Sequence, residues 1–207
     1  MVTNCKFKRE RLVYWYLRLN GFLTIENFVV HPERSGSQRT DADILAVRFR
    51  NRKELFVNPM EDDPRVCECG TLCNVIIAEA KRNRCDLNGP WTHREKKNIN
   101  RVLRAMGCFA PNENDRVAES LYSVGRYDSS CVTCRLFAFG ESTNDQLKIP
   151  VQQQVIWKEA IDFIVKRFKE YRNQKRDVGQ WSEDGTKLQE AALGENSTEI
   201  ILNLFCL

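Results

Sequence analysis

Residues 75–81, Val-Ile-Ile-Ala-Glu-Ala-Lys, constrain this chain more than any other segment. An unbroken, largely β-branched apolar run suits a central strand buried on both faces. Residues two apart on a strand point the same way. Glu79 and Lys81 are therefore expected on one face at the end of a buried strand, where charges are costly unless they pair or bind a cation.

The flanking segments read as further elements of one sheet and its covering helices. Leu12, Trp15, Tyr16 and Leu19 recur at helical spacing and predict a helix over 8–19, stopped by Asn20-Gly21. Residues 22–30 and 43–49 read as strands on either side of a Ser-, Gly- and Arg-rich loop. Residues 50–73 read as an irregular excursion with Pro59, Pro64, an acidic triplet and clustered cysteines. Thr92 and Glu95 make a capping-box pattern, predicting a helix to Met106 that Gly107 ends. A short helix over 115–124, a strand over 131–139 and a short strand over 148–152 follow. A long helix over 155–171 has Ile156, Ala160, Phe163, Ile164, Phe168 and Tyr171 on its apolar face. The succession predicts an α/β fold with a mixed sheet. One domain is expected over 1–176, with 50–73 as an insertion, and a polar, acidic extension over 177–207 whose apolar last residues form an edge strand or stay disordered.

With 207 residues and 42 % hydrophobic content, the chain can bury a core without disulfides. Its net charge of +4 decides little, but the distribution is uneven. Residues 81–104 hold eight Lys/Arg against two acids, and 177–207 hold one Lys against six acids. Basic segments in the body suit a polyanion-binding domain, although a solvated surface explains any one of them. The N-terminus lacks the apolar stretch of a secretory signal, and no apolar run is long enough for a bilayer. The expectation is a soluble, cytoplasmic protein without membrane association. Nine cysteines, an odd number, are expected to be reduced and structural. Zinc at Cys67, Cys69, Cys73, Cys131 and Cys134 is the lesser reading, because Cys-x-Cys-x-x-x-Cys is not a standard zinc spacing.

Asp43 heads the strand expected to lie beside 75–81, so its carboxylate can meet that of Glu79. Two converging carboxylates repel, and a hard divalent cation relieves that repulsion. A neighbouring lysine can position a water and offset charge building on a phosphate. Asp41, on the same strand face, is the rival ligand if the register differs. Arg94, Lys97, Arg101 and Arg104 recur at three- and four-residue spacing as one basic helical stripe, expected to contact a nucleic-acid backbone, with a solvated helix face as the alternative. Arg39, just before Asp43, is a candidate phosphate ligand or a solvated loop residue. Trp91 reads first as a turn residue closing the core, with stacking on a base as the alternative, and His31 and His93 have no ligand-like partner in sequence.

A helix with Glu10 in Arg-Glu-Arg-Leu, Asn20-Gly21-Phe22 opening a strand, Asp43 in Ala-Asp-Ile-Leu-Ala-Val and Glu79-Ala80-Lys81 together resemble the PD-(D/E)XK nuclease superfamily, in particular its Holliday-junction resolvase-like group. The resemblance covers about residues 8–107. Ala42 stands where the signature has Pro, and the stretch between the Asp and Glu-x-Lys strands is longer than in minimal resolvases. The resemblance implies a restriction-endonuclease-like core with a mixed central sheet flanked by helices. It also implies Mg²⁺ or Mn²⁺ held by Asp43 and Glu79 with Glu10 assisting, Lys81 as the catalytic lysine, and hydrolysis of phosphodiester bonds in DNA. The alternative is a non-cleaving module on the same fold that binds nucleic acid or protein. A homodimer is compatible with either.

Overall fold

The computed structural model describes residues 6–31, 40–55, 57, 61–67, 70–176 and 182–207. Its elements in chain order are α1 (Arg9–Leu19), β1 (Leu23–Val30), β2 (Thr40–Phe49), α2 (Pro64–Cys67), β3 (Cys73–Ala80), α3 (Gly89–Thr92), α4 (Asn98–Met106) and α5 (Asn114–Val124). They continue with β4 (Arg126–Asp128), β5 (Val132–Gly140), β6 (Gln154–Ile156), α6 (Trp157–Glu170), α7 (Arg172–Lys175), α8 (Glu183–Leu193) and α9 (Ser197–Leu204). The apolar run at 75–78 lies in β3, inside a mixed open sheet ordered β1-β2-β3-β5-β4. β3 pairs antiparallel with β2 and parallel with β5. β6 joins β5 in parallel beyond β4.

Helices cover both faces of this α/β sheet, which is why β3 carries no polar residue between Val75 and Ala78. On one face Ile44, Ala46, Ile76, Ala78, Phe137 and Phe139 pack against α1, α6, α8 and α9. On the other, Leu45, Val75, Ile77, Leu136 and Ala138 pack against α3, α4 and α5. The alternation along β3 sends Glu79 to the second face.

Several expected boundaries move, each for a tertiary reason. The helix expected from Thr92 breaks into α3, a 3₁₀ turn over Arg94–Lys96 and α4, with Lys97 in the left-handed region (φ 52°) between the last two. Thr92 caps nothing; the Ile99 N–H near the start of α4 instead donates to the Tyr122 hydroxyl of α5 (3.1 Å). An orphan helix-end amide is thus satisfied by a residue distant in sequence. The short strand expected over 148–152 forms later, as β6, because Pro150 opens a 3₁₀ turn over Val151–Gln153. Accordingly α6 begins at Trp157, with the Glu159 side chain accepting the Ile156 N–H.

The acidic C-terminal segment is neither an edge strand nor loose. Leu188, Ala191 and Ala192 of α8, with Ile201 of α9 and Phe205 just after it, join the core against α1 and α6. Their spacing is helical, but polar residues and glycines between them hide the pattern. Six described cysteines, Cys67, Cys73, Cys85, Cys108, Cys131 and Cys134, are free, whereas Cys206 is disulfide-bonded, so the free-thiol expectation fails there. Cys69 lies outside the described residues. Among those described, no helix is long and apolar enough to cross a membrane.

Candidate active site

The β2–β3 ladder ends at the pair Ile44 with Ala78. One step further along the same register stand Asp43 and Glu79, opposite one another on adjacent strands. The Ala80 N–H goes to a side chain at this point, donating to Asp43 Oδ2 at 2.9 Å. Asp43 therefore closes the ladder where the two strands part. Asp41 pairs with Val29 of β1 and lies one strand repeat further away. The register thus selects Asp43 over Asp41 as the partner of Glu79.

Glu79 has a side chain only 2 % exposed. Its Oε1 accepts the Trp91 indole N–H at 2.6 Å, and its Oε2 accepts from Lys81 Nζ at 2.9 Å. Burial, and then the charge of Asp43, push the Glu79 carboxyl up to about 7; Lys81 and Trp91 pull against them without winning. Asp43 is also raised, first by burial and then by the charges of Glu10 and Asp41, against the Ala80 N–H and Lys81. Glu10, in the first turn of α1, is thus within electrostatic reach of Asp43. Among the described residues, no three His, Cys, Asp or Glu side chains are grouped so as to hold a metal ion. The site brings together Asp43, Glu79 and Lys81, with Glu10 close enough for its charge to act on Asp43.

Lys81 is held from both sides. Its Nζ donates to Glu79 Oε2 and, at 2.7 Å, to Asn88 Oδ1. Its own carbonyl accepts the Trp157 indole N–H at 3.0 Å, which ties the end of β3 to the start of α6. An ammonium has three donors. Two are used here, which leaves one for a substrate or a water.

The chain matches no family model, no curated protein and no solved structure.

The basic residues fare differently from expectation. Arg39 lies outside the described residues. Arg94 and Lys97 precede α4, so only Arg101 and Arg104 of the expected stripe sit on that helix. Arg94 is occupied by Glu119 (2.7 Å) and Ser123 (3.0 Å). Arg101 turns back to the Lys96 carbonyl and Asn98. The stripe fails because the left-handed Lys97 resets the helical phase. Trp91, Asn88 and Trp157 are the site residues that spacing alone could not assign. Their proximity to Lys81 in sequence was visible for the first two, and for Trp157 no sequence signal existed.

Proposed function

We propose that this chain is a metal-dependent nuclease that hydrolyses phosphodiester bonds in DNA, on a restriction-endonuclease-like core of the PD-(D/E)XK type. The observation that carries the reading is the meeting of a buried Glu79, its cross-strand neighbour Asp43 and the doubly held Lys81 at one strand end.

A hard divalent cation fits the donor set. Two carboxylates face each other, both are raised above the ordinary range, and the donors present do not cancel their repulsion. Asp43 and Glu79 would hold Mg²⁺ or Mn²⁺, with Glu10 assisting. Such an ion, when bound, polarises a phosphate and acidifies a coordinated water. Lys81 directs its remaining N–H toward the attacking water or the phosphate oxygen, where it offsets developing negative charge. Trp91 fixes the rotamer of Glu79, and Asn88 fixes that of Lys81.

Incubation with plasmid, linear, branched and single-stranded DNA tests this reading, with Mg²⁺, Mn²⁺ or EDTA. Cleavage is expected with metal only, falling at least a hundredfold in Glu79→Ala and Lys81→Ala, on the order of what removal of a charge-stabilising group costs. Activity that survives both substitutions overturns the assignment. A second reading, a non-cleaving binding module, is favoured by one observation: both oxygens of Glu79 already accept internal donors. Binding without cleavage on every substrate selects it.

A further inference from the structure

A cavity of about 540 Å³ opens between the loop after β3, the C-terminal half of α5 and the loop that leads to β6. This volume is within the range of about 300–1,000 Å³ that small-molecule sites occupy, and far larger than a bare phosphate needs. Its inner wall is apolar and aromatic, with Trp91, Leu121, Tyr122 and Ile149 all buried. Its mouth is polar. Exposed Arg84, Arg94 and Lys148 stand there against one carboxylate, Asp86, with the Gln146 amide beside them. Arg94 is engaged by Glu119. Among the described residues, the ion pairs include neither Arg84 nor Lys148, so these two cations remain for a ligand.

Trp91 links this cavity to the candidate active site. Its ring lines the cavity, and its N–H holds Glu79. A ligand seated here therefore touches the same indole that holds Glu79.

We propose that the cavity binds one nucleotide unit, its base against the apolar wall and its 5′-phosphate at Arg84 and Lys148. Inorganic phosphate would use only the cations, and a nucleoside only the wall; a nucleoside 5′-phosphate uses both. The choice of a nucleotide over another phosphate ester rests on the nuclease reading, while the cavity and its cations do not. The unit is either a free nucleotide or the end of a DNA strand.

Calorimetric titration of the full chain in EDTA separates these outcomes, since no turnover occurs. Deoxyadenosine 5′-monophosphate is expected to bind at least tenfold more tightly than deoxyadenosine or inorganic phosphate. Arg84→Ala and Lys148→Ala should each weaken it about tenfold, the size of one lost charge-assisted contact. Lys158→Ala, whose lysine pairs with Asp162 away from the cavity, should not. Lys81→Ala, which leaves the Trp91–Glu79 hydrogen bond in place and removes no cavity-lining residue, should retain binding, so loss of cleavage and loss of the pocket are read separately. A short 5′-phosphorylated strand with phosphorothioate linkages displaces the nucleotide if the occupant is a strand end, and fails to if it is a free nucleotide. Binding of neither ligand at millimolar concentration, or binding indifferent to Arg84→Ala and Lys148→Ala, overturns the proposal even where cleavage is intact.

Discussion

At the residue scale, the chemistry turns on one carboxylate kept out of water next to another. Glu79 folds with its carboxyl raised to about 7 from an ordinary 4.5, so the folded chain holds a proton that the unfolded chain has released between those values. Stability from this group is fully present below about pH 4.5 and is lost as pH rises through about 7. In metal-free protein the unfolding free energy should therefore fall across that window by an amount of order 3 kcal/mol. Urea titrations at stepped pH read this directly. Glu79→Gln should flatten the slope, and a slope that persists in Glu79→Gln would assign the titration to another group. Added Mg²⁺ should raise the melting temperature more at pH 8 than at pH 6, since ionised carboxylates bind it better. This readout of the cation is independent of cleavage.

At the element scale, a buried carboxylate, Asp184, adds a polar tie between α8 and α1 to their apolar packing. Asp184 Oδ2 accepts from the Trp15 indole and from Arg11, both at 2.7 Å, and Arg11 also pairs with Glu26. Burial alone would raise the Asp184 carboxyl, and hydrogen bonds from Ser182, Trp15 and Arg11 outweigh it, so its pKa is lowered. The resulting stability is present above the unfolded carboxylate range and lost as pH falls through the folded value. Asp184→Ala should cost about 2–4 kcal/mol, because it removes the buried carboxylate that accepts from both Trp15 and Arg11. Chemical denaturation at pH 7 checks this, and the deficit should shrink toward pH 3. The next residue, Gly185, is needed for close approach: a Cβ there would lie 2.3 Å from the Trp15 ring. Since α1 carries Glu10 in its first turn, the same fastening sets where that carboxylate stands.

At the scale of the whole molecule, 182–207 is part of the body, since Leu188, Ile201 and Phe205 are fully buried in the core it shares with α1 and α6. Each such side chain contributes about 1.5–3 kcal/mol on burial, and a domain's net stability is only about 5–15 kcal/mol. A chain truncated after residue 181 should therefore lose its cooperative thermal transition, as differential scanning calorimetry would record; an unchanged transition would show the two helices to be dispensable. Much of the frame was legible beforehand. The helix at the N-terminus, the first two strands, the central strand, the fifth strand and the long helix follow from the local period of apolar residues. The pairing of Glu79 with Lys81 follows from strand alternation alone. Other features depend on residues far apart in sequence, which local periodicity does not record. The β2–β3 register brings Asp43 rather than Asp41 to Glu79, Tyr122 ends the amide of α4, and Trp91 and Trp157 reach the ends of β3. The sequence by itself thus determined a buried strand carrying a carboxylate and an amine on one face. Only the tertiary structure decided which groups surround them and that the acidic tail belongs to the core, because burial and hydrogen-bond partners exist only once the elements pack.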